Sequence, residues 1–264
     1  MSYRVGIDIG GTFTDLVFLT ANGDALTLKV PSTPDDYSRG IAEGLTQVFQ
    51  SGDITGPTIA EVIHGTTIAT NAILEHRGVK TGLITTEGFR DVLEIRRLRM
   101  PKLYDLTWEK PKPLASRADR AEVIERINHQ GDVLTPLDEG TALAAIDKLL
   151  ANGVEAIAVS LINAYTNGNH ERRIGELIAE RAPGLPVCLS SLILPEIKEY
   201  ERTSTTVVNA YILPVVARYL TALSAALERL RVAAPLLVMQ SSGGAMGVEA
   251  ACLRPIHIIE SGPA

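Results

Sequence analysis

The sequence predicts a mixed α/β fold, an antiparallel meander leading into alternating strands and helices. Three observations carry that expectation. Arg4–Ile9, Leu16–Leu19 and Ala25–Val30 are β-branched runs separated by Gly10-Gly11 and by Asn22-Gly23, a strong hairpin dipeptide. Downstream, short apolar runs alternate with helical patterns, the signature of parallel pairing. From Thr203, Val208, Ile212, Val215, Tyr219, Leu223, Leu227 and Leu230 recur at helical spacing.

Each element has its own signal. Ser32-Thr33-Pro34-Asp35 reads as the cap of a helix to Phe49 with Ile41, Leu45 and Val48 on one face. Glu61–His64 is an expected strand, Thr67–His76 a helix, Lys80–Thr85 a strand and Phe89–Leu98 a helix. Residues 99–120, with Pro101, Pro111 and Pro113, read as a long loop. Strand character resumes over Val123–Ile127. Thr135-Pro136-Leu137-Asp138 then offers an N-cap, a proline at the first helical position and an acidic residue three after the cap. The helix it opens carries Leu143, Ile146, Leu149 and Leu150 and stops at Asn152-Gly153. Ala156–Leu161 reads as a buried strand, His170–Arg181 as a helix, Pro186–Leu189 as a strand. Pro214 should kink the long helix. Pro235–Gln240 is a further strand, followed by the turn Ser241-Ser242-Gly243-Gly244. A composition shift at Pro183–Pro186 sets the expected domains at 1–183 and 184–264.

Composition excludes several classes. The 264 residues are 45% hydrophobic and 21% charged, enough apolar surface to fold. With 25 Lys+Arg against 31 Asp+Glu, the net charge of −6 argues against a nucleic-acid surface. No apolar run approaches the roughly 18 residues of a membrane span. The most apolar stretch, Ile212–Met239, is broken by Arg218, Glu228, Arg229 and Arg231. MSYRVGIDIGG lacks the build of a signal peptide. Cys188 and Cys252 have no metal-ligand spacing and read as cytosolic thiols. The expected location is the cytoplasm, without a membrane or nucleic-acid partner.

Chemistry concentrates in Gly6-Ile7-Asp8-Ile9-Gly10-Gly11-Thr12-Phe13-Thr14-Asp15. A strand delivers Asp8 to its end. Gly10 and Gly11 allow close backbone approach and positive φ. Thr12 and Thr14 offer hydroxyls, and their amides an anion nest. Asp15 adds a second carboxylate for a hydrated Mg²⁺, which takes one or two carboxylates plus phosphate oxygens. A plain hairpin with a polar tip is the competing reading. In the second group, His64-Gly65-Thr66-Thr67 with Asn71 opens a helix, where amides favour an anion and His64 could act as acid or base. Glu199 and Arg202 share a helix face near Glu196, Tyr200, Glu201 and Asn209; a solvated charged face explains them equally well. Gln240 and Gly243 lie where a strand ends, the ligand side of open α/β sheets. His170-Glu171-Arg172-Arg173 reads chiefly as a surface helix start.

DIGGTFTD resembles the first phosphate motif of the actin-like ATPase superfamily. GIDIGGTFTD, HGTTIATNAIL, TTEGFRDVLEI, NHERR, LPEIKEYERTSTTVVNAYILP, MQSSGGAM and ESGPA together resemble the hydantoinase A/5-oxoprolinase family over nearly the whole chain. The resemblance implies an RNase H-like/actin-like ATPase fold and ATP-dependent opening of a cyclic amide or imide, with Mg²⁺ and often K⁺. It also implies a separate B-type subunit. Acetone and acetophenone carboxylases share the fold and ATP chemistry. The scheme gives Asp8 and Asp15 the metal, Gly10, Gly11, Thr12 and Thr14 the phosphates, and His64, Thr66, Thr67 and Asn71 the substrate side, with Glu199, Arg202, Gln240 and Gly243 lining the ligand. Ser242 and Asn163 depart from the family pattern, which has Asn and His there. A sugar or acetate kinase, a radical-dehydratase activator and a pure binding module are weaker matches. The family's second phosphate loop lies downstream of SGPA, so the expected fold is incomplete: a first domain plus the start of a second, with little ATPase activity alone.

Overall fold

Gly10 N donates to Phe13 O at 2.9 Å and closes the first hairpin, so the meander begins where the glycines predict. The structure is a computed structural model describing residues 2–33, 35–97, 105 and 107–260. Pro34, Leu98, Pro101 and the Ser261–Ala264 part of the ESGPA motif lie outside the described residues.

In chain order the elements are β1 (Tyr3–Ile9), β2 (Phe13–Thr20), β3 (Ala25–Pro31), α1 (Tyr37–Phe49), β4 (Ile59–Thr66), α2 (Ile68–Leu74), β5 (Thr81–Thr86) and α3 (Val92–Ile95). There follow β6 (Arg120–Val123), β7 (Arg126–Ile127), β8 (Val133–Thr135), α4 (Glu139–Ala151), β9 (Ala156–Ser160), α5 (Asn169–Arg181) and β10 (Val187–Leu189). The last are α6 (Ser190–Ile193), α7 (Glu199–Arg229), β11 (Leu236–Met239), β12 (Ala245–Gly247) and α8 (Val248–Leu253). They form two compact units, Met1–Gly78 with Ile212–Ala264, and Val79–Tyr211. Residues 183 and 184 both fall in the second unit.

The first unit holds a six-stranded sheet in the order β12-β11-β4-β1-β2-β3. β1, β2 and β3 pair antiparallel, whereas β4 and β11 run parallel to β1. Val5, Ile7, Ile9, Leu16, Phe18, Val62 and Val238 are buried on one face, as period-two alternation requires. α1 packs close to that face: a Cβ on Gly44 would lie 2.3 Å from Leu16 Cδ1. Its N-cap is Asp36, which accepts from Ser38 N at 3.1 Å, four residues beyond Ser32.

The second unit is built on the parallel sheet β10-β9-β5-β6. All six residues of β5 and all five of β9 are buried, the mark of strands covered on both faces. Ile146 and Leu149 of α4 and Ile174 and Ile178 of α5 join Ile84, Val123, Ile157 and Val159 in its core.

Four expectations need correction here. The Phe89–Leu98 helix is the single turn α3. The strand expected over Val123–Ile127 starts at Arg120 and is interrupted after Val123. α4 is capped by Asp138, which accepts from Thr141 N at 3.0 Å, because Thr135 is taken up in β8. α7 begins at Glu199 and runs through Pro214 for 31 residues. Its most apolar window has mean hydropathy 1.5, so by length and composition it is long and apolar enough to cross a membrane, contrary to the expectation that no stretch is. Half of that window is buried in protein, with Val207, Ala210, Val216, Leu220 and Leu223 inside.

Gly56 gives a stability test. A Cβ there would lie 2.2 Å from Leu230 O and 2.7 Å from Arg231 O, both backbone. Gly56→Ala should lower unfolding free energy in urea by about 1–3 kcal/mol, the usual range for overpacking. Gly247→Ala, with nothing within 4 Å of the added Cβ, should leave the urea midpoint unchanged.

Candidate functional site

Register decides which side chains can meet. Asp8 of β1 stands directly opposite Asp15 of β2, and Asp15 opposite Lys29 of β3. On the other side Asp8 faces Gly65 of β4. Directly paired residues point to one face, so Asp8, Asp15 and Lys29 form a row. Lys29 Nζ lies 3.3 Å from Asp15 Oδ1. Partial burial and then the charge of Asp15 hold the Asp8 carboxyl above its usual range. Like charges opposite each other destabilise a sheet; a cation between them relieves that repulsion. Among the described residues no group of three or more His, Cys, Asp or Glu could hold a metal. A cation here therefore has two carboxylates at most, the donor set suited to Mg²⁺ completed by water and phosphate oxygens.

Beyond Asp8 the hairpin turns at Gly11-Thr12. Neither Gly10 nor Gly11 has the expected positive φ. A Cβ on Gly10 would lie 3.1 Å from Phe13 O, whereas one on Gly11 would meet nothing within 4 Å. Gly10 thus serves hairpin closure, and Gly11 leaves the loop surface bare. The Gly11 and Thr12 amides make no hydrogen bond among the described residues, leaving two donors for an anion. Because β4 and β11 run parallel to β1, Thr66-Thr67 and Gln240 end at the same sheet edge as Asp8. Gly243, at φ 86, forms the β11–β12 turn, where its N donates to Gln240 O at 3.0 Å.

The opposite face takes other residues, and three expectations change. His64 is in register with Ile7, Thr66 with Ile9, and Thr14 with Ile9, so all three project away from the Asp8 row. Thr14 is fully buried, its hydroxyl 3.0 Å from Ser32 Oγ, and does not cradle phosphate. Thr66 is buried and accepts from Ile68 N at 3.2 Å, just before the α2 N-cap Thr67. His64 is fully buried, with Nδ1 3.1 Å from Ile7 O and Nε2 2.7 Å from Tyr219 Oη. A carbonyl only accepts, so Nδ1 carries the proton and the Tyr219 hydroxyl donates to Nε2. Burial pushes the His64 pKa down to about 4, which keeps the ring neutral. Both nitrogens are committed, and His64 is a structural group rather than an acid or base facing a ligand.

Thr67 Oγ1 donates to Ile9 O at 3.1 Å, and Asn71 Nδ2 to Thr67 Oγ1 at 3.3 Å. Two hydrogen-bond chains therefore end on Ile7 and Ile9, the residues flanking Asp8. Tyr219 had been only one apolar position on the helix stripe. Lys29 could have been found by counting back from the Asn22-Gly23 turn.

In the second unit, Glu199 and Arg202 do share a helix face: Arg202 Nη1 lies 2.8 Å from Glu199 Oε2. The Arg202 side chain is 1% exposed and donates to Ser190 Oγ, Glu196 O and Leu161 O. A buried guanidinium held on every side is a structural cation, which corrects its assignment to a ligand. Glu199 Oε1 accepts from Asn163 N at 3.3 Å. Glu171 is also internal, accepting from Leu161 N, Ser190 Oγ and Ser191 N, and burial raises its pKa. His170 Nδ1 is 2.8 Å from Glu125 Oε2. Asn209 is buried, with Nδ2 donating to Cys188 Sγ at 3.2 Å, and burial pushes that thiol up to about 11.

Residues 4–182 match the hydantoinase/oxoprolinase N-terminal region, and residues 202–264 match the hydantoinase/oxoprolinase family that follows it. This chain belongs to the hydantoinase/oxoprolinase family. Caprolactamase subunit alpha of Pseudomonas jessenii is 40% identical over 99% of this chain and 38% of its own length. The crystal structure of ATP-dependent caprolactamase from the same organism superposes with TM-score 0.91, at 38% identity, over 99% of this chain and 39% of that one. The acetophenone carboxylase gamma subunit of Aromatoleum aromaticum is 36% identical over 79% of this chain and 31% of its own length. Arabidopsis thaliana 5-oxoprolinase 1 is 31% identical over 91% and 21%. The chain thus spans less than two fifths of each curated relative. The actin-like ATPase type of α/β fold, represented in part, holds as expected.

Two measurements test the sheet's two faces. The lowered His64 pKa contributes stability that is present above pH 6.5 and lost as pH falls toward about 4. His64→Gln should remove up to roughly 3 kcal/mol of that pH dependence in urea titrations. Asp8→Asn should stabilise the Mg²⁺-free chain by a few tenths of a kcal/mol. Because the Asp8 pKa is raised, this gain should vanish below pH 3.8 and grow as pH rises through the folded value. Adding Mg²⁺ should narrow it.

Proposed function

We propose that this chain supplies the phosphate-binding part of an ATP-dependent enzyme that opens small cyclic amides or imides through a phosphorylated substrate. The observation that carries the reading is the Asp8–Asp15 pair beside the unbonded amides of Gly11 and Thr12. It joins a cation position to an anion position at one sheet edge, the combination that a metal–nucleotide needs. The relatives named for caprolactam and 5-oxoproline hydrolysis supply the substrate class.

A cyclic amide resists water because its carbonyl is resonance-stabilised and its leaving nitrogen remains tethered. In the proposed reaction the amide oxygen attacks the γ-phosphorus, ADP departs, and water then adds to the activated carbon. The ring C–N bond breaks, the ring nitrogen leaving protonated, and a second water cleaves the resulting acyl phosphate to a carboxylate and inorganic phosphate. Such chemistry asks the protein for position and charge neutralisation more than for a nucleophile. The Gly11 and Thr12 amides donate to phosphate oxygens. Asp8 and Asp15 would hold Mg²⁺, which when bound would offset charge on the phosphates. Lys29 pairs with Asp15 and aligns it. Gln240 and Gly243, at the adjacent strand end, border the same edge. His64 and Thr14 act indirectly by fixing β1 and β2.

The reading includes a B-type partner subunit and a cytoplasmic location, with Cys188 and Cys252 as free thiols. The complete enzyme provides the test. Asp8→Asn should lower ATP turnover on the order of a hundredfold or more, the scale for lost charge stabilisation, while leaving the unfolding transition intact. Undiminished turnover would remove Asp8 from the phosphate site. Coupling of ATP use to lactams, hydantoins or 5-oxoproline supports the ring-opening reading; coupling only to ketone and bicarbonate replaces it with carboxylation.

A further inference from the structure

Tyr219, which bonds His64 on the buried face of the first sheet, lines a cavity of about 450 Å³ that the phosphate site does not use. Its volume lies within the range of small-molecule sites. Ile68, Ala72, Val215 and Ala222 give it an apolar wall, and Tyr37 and Tyr219 add ring surface.

The charges at its rim are unequally committed. Asp35 is paired with Arg39 through two hydrogen bonds of 2.9 Å. The Asp36 carboxylate accepts from Ser38 N and Oγ. Arg77 Nε lies 3.0 Å from Glu75 Oε2. Arg218 alone among these rim charges makes no ion pair or hydrogen bond among the described residues. An apolar wall with one uncommitted guanidinium suits a carboxylate on a hydrocarbon body, because Arg offers a planar fork to such a group.

Two other lining residues reach the phosphate strand. Tyr219 donates to His64, which donates to Ile7 O. Asn71 donates to Thr67, which donates to Ile9 O. Anything that moves Tyr219 or Asn71 pulls on the carbonyls either side of Asp8. The cavity is on the face opposite Asp8, so a molecule there is not placed for phosphoryl transfer.

We propose that this cavity is a regulatory site for a small carboxylate with an apolar body, held by Arg218 and coupled through Tyr219–His64 and Asn71–Thr67 to the Asp8 loop. Resting on the reading above, the ring-opened product, an amino carboxylate, belongs to that class and would act as a feedback ligand.

Calorimetric titration of the 1–264 chain with hexanoate and with 6-aminohexanoate tests binding without requiring turnover. At least one probe should bind saturably at one site, and amide exchange should slow at residues 8–12. Arg218→Gln, at an exposed helix position, should weaken binding about tenfold or more, equal to about 1.4 kcal/mol. Asp8→Asn should bind as the wild type does, which separates this site from the phosphate reading. Absence of saturable binding by both probes at millimolar concentration overturns the proposal, as does equal binding by Arg218→Gln. Binding without slower exchange at residues 8–12 overturns its regulatory half.

Discussion

The register of β1 against β2 is the constraint on which the site depends. Placing Asp8 opposite Asp15 costs the sheet a like-charge contact, which Lys29 offsets only at Asp15. The same register closes the hairpin at Gly10 and leaves two amides bare beyond it. A one-residue slip would reverse both faces, burying Asp8 and exposing Ile7 and Ile9. The apolar contacts of Val5, Ile7, Ile9, Leu16 and Phe18 therefore hold the carboxylates in opposition. Folding energy from one face maintains electrostatic strain on the other.

That division explains why a single motif feeds two kinds of residue. In DIGGTFTD, Asp8 and Asp15 share the outer face of the sheet, while Ile9 and Thr14 lock the strands beneath. HGTT divides similarly. His64 and Thr66 are internal, whereas Thr67 reaches back to Ile9 O. A motif holds together because neighbouring strand residues do opposite jobs: one faces outward, and the next fixes where it stands.

Much of this was legible in the sequence. The meander, the parallel second sheet and the Asp8 loop follow from hairpin dipeptides, apolar runs and paired carboxylates. Helix starts were off where two capping residues competed, as with Ser32 and Asp36, or Thr135 and Asp138; only tertiary context chooses between them. His64 shows a deeper limit. Its Tyr219 partner is 155 residues away, and nothing local says that a histidine beside two threonines is sealed from water. Arg202 looked like a surface charge because its ion-pair spacing to Glu199 is the same whether the helix face is exposed or buried. Pleat parity, by contrast, was available from the turn positions and would have separated Thr14 from Asp15.

A neutral, doubly bonded His64 also has a mechanical consequence. With Nδ1–H on Ile7 O and Nε2 on Tyr219 Oη, the ring is a fixed strut between α7 and β1. Protonation would force Nε2 to become a donor, and the Tyr219 hydroxyl would have to turn toward another acceptor. Burial opposes that change, as the low pKa shows. The strut therefore persists at neutral pH. A histidine in this place resists changes in acidity and transmits displacement, so the spacing between Asp8 and its neighbours is held by a group on the opposite face of the sheet.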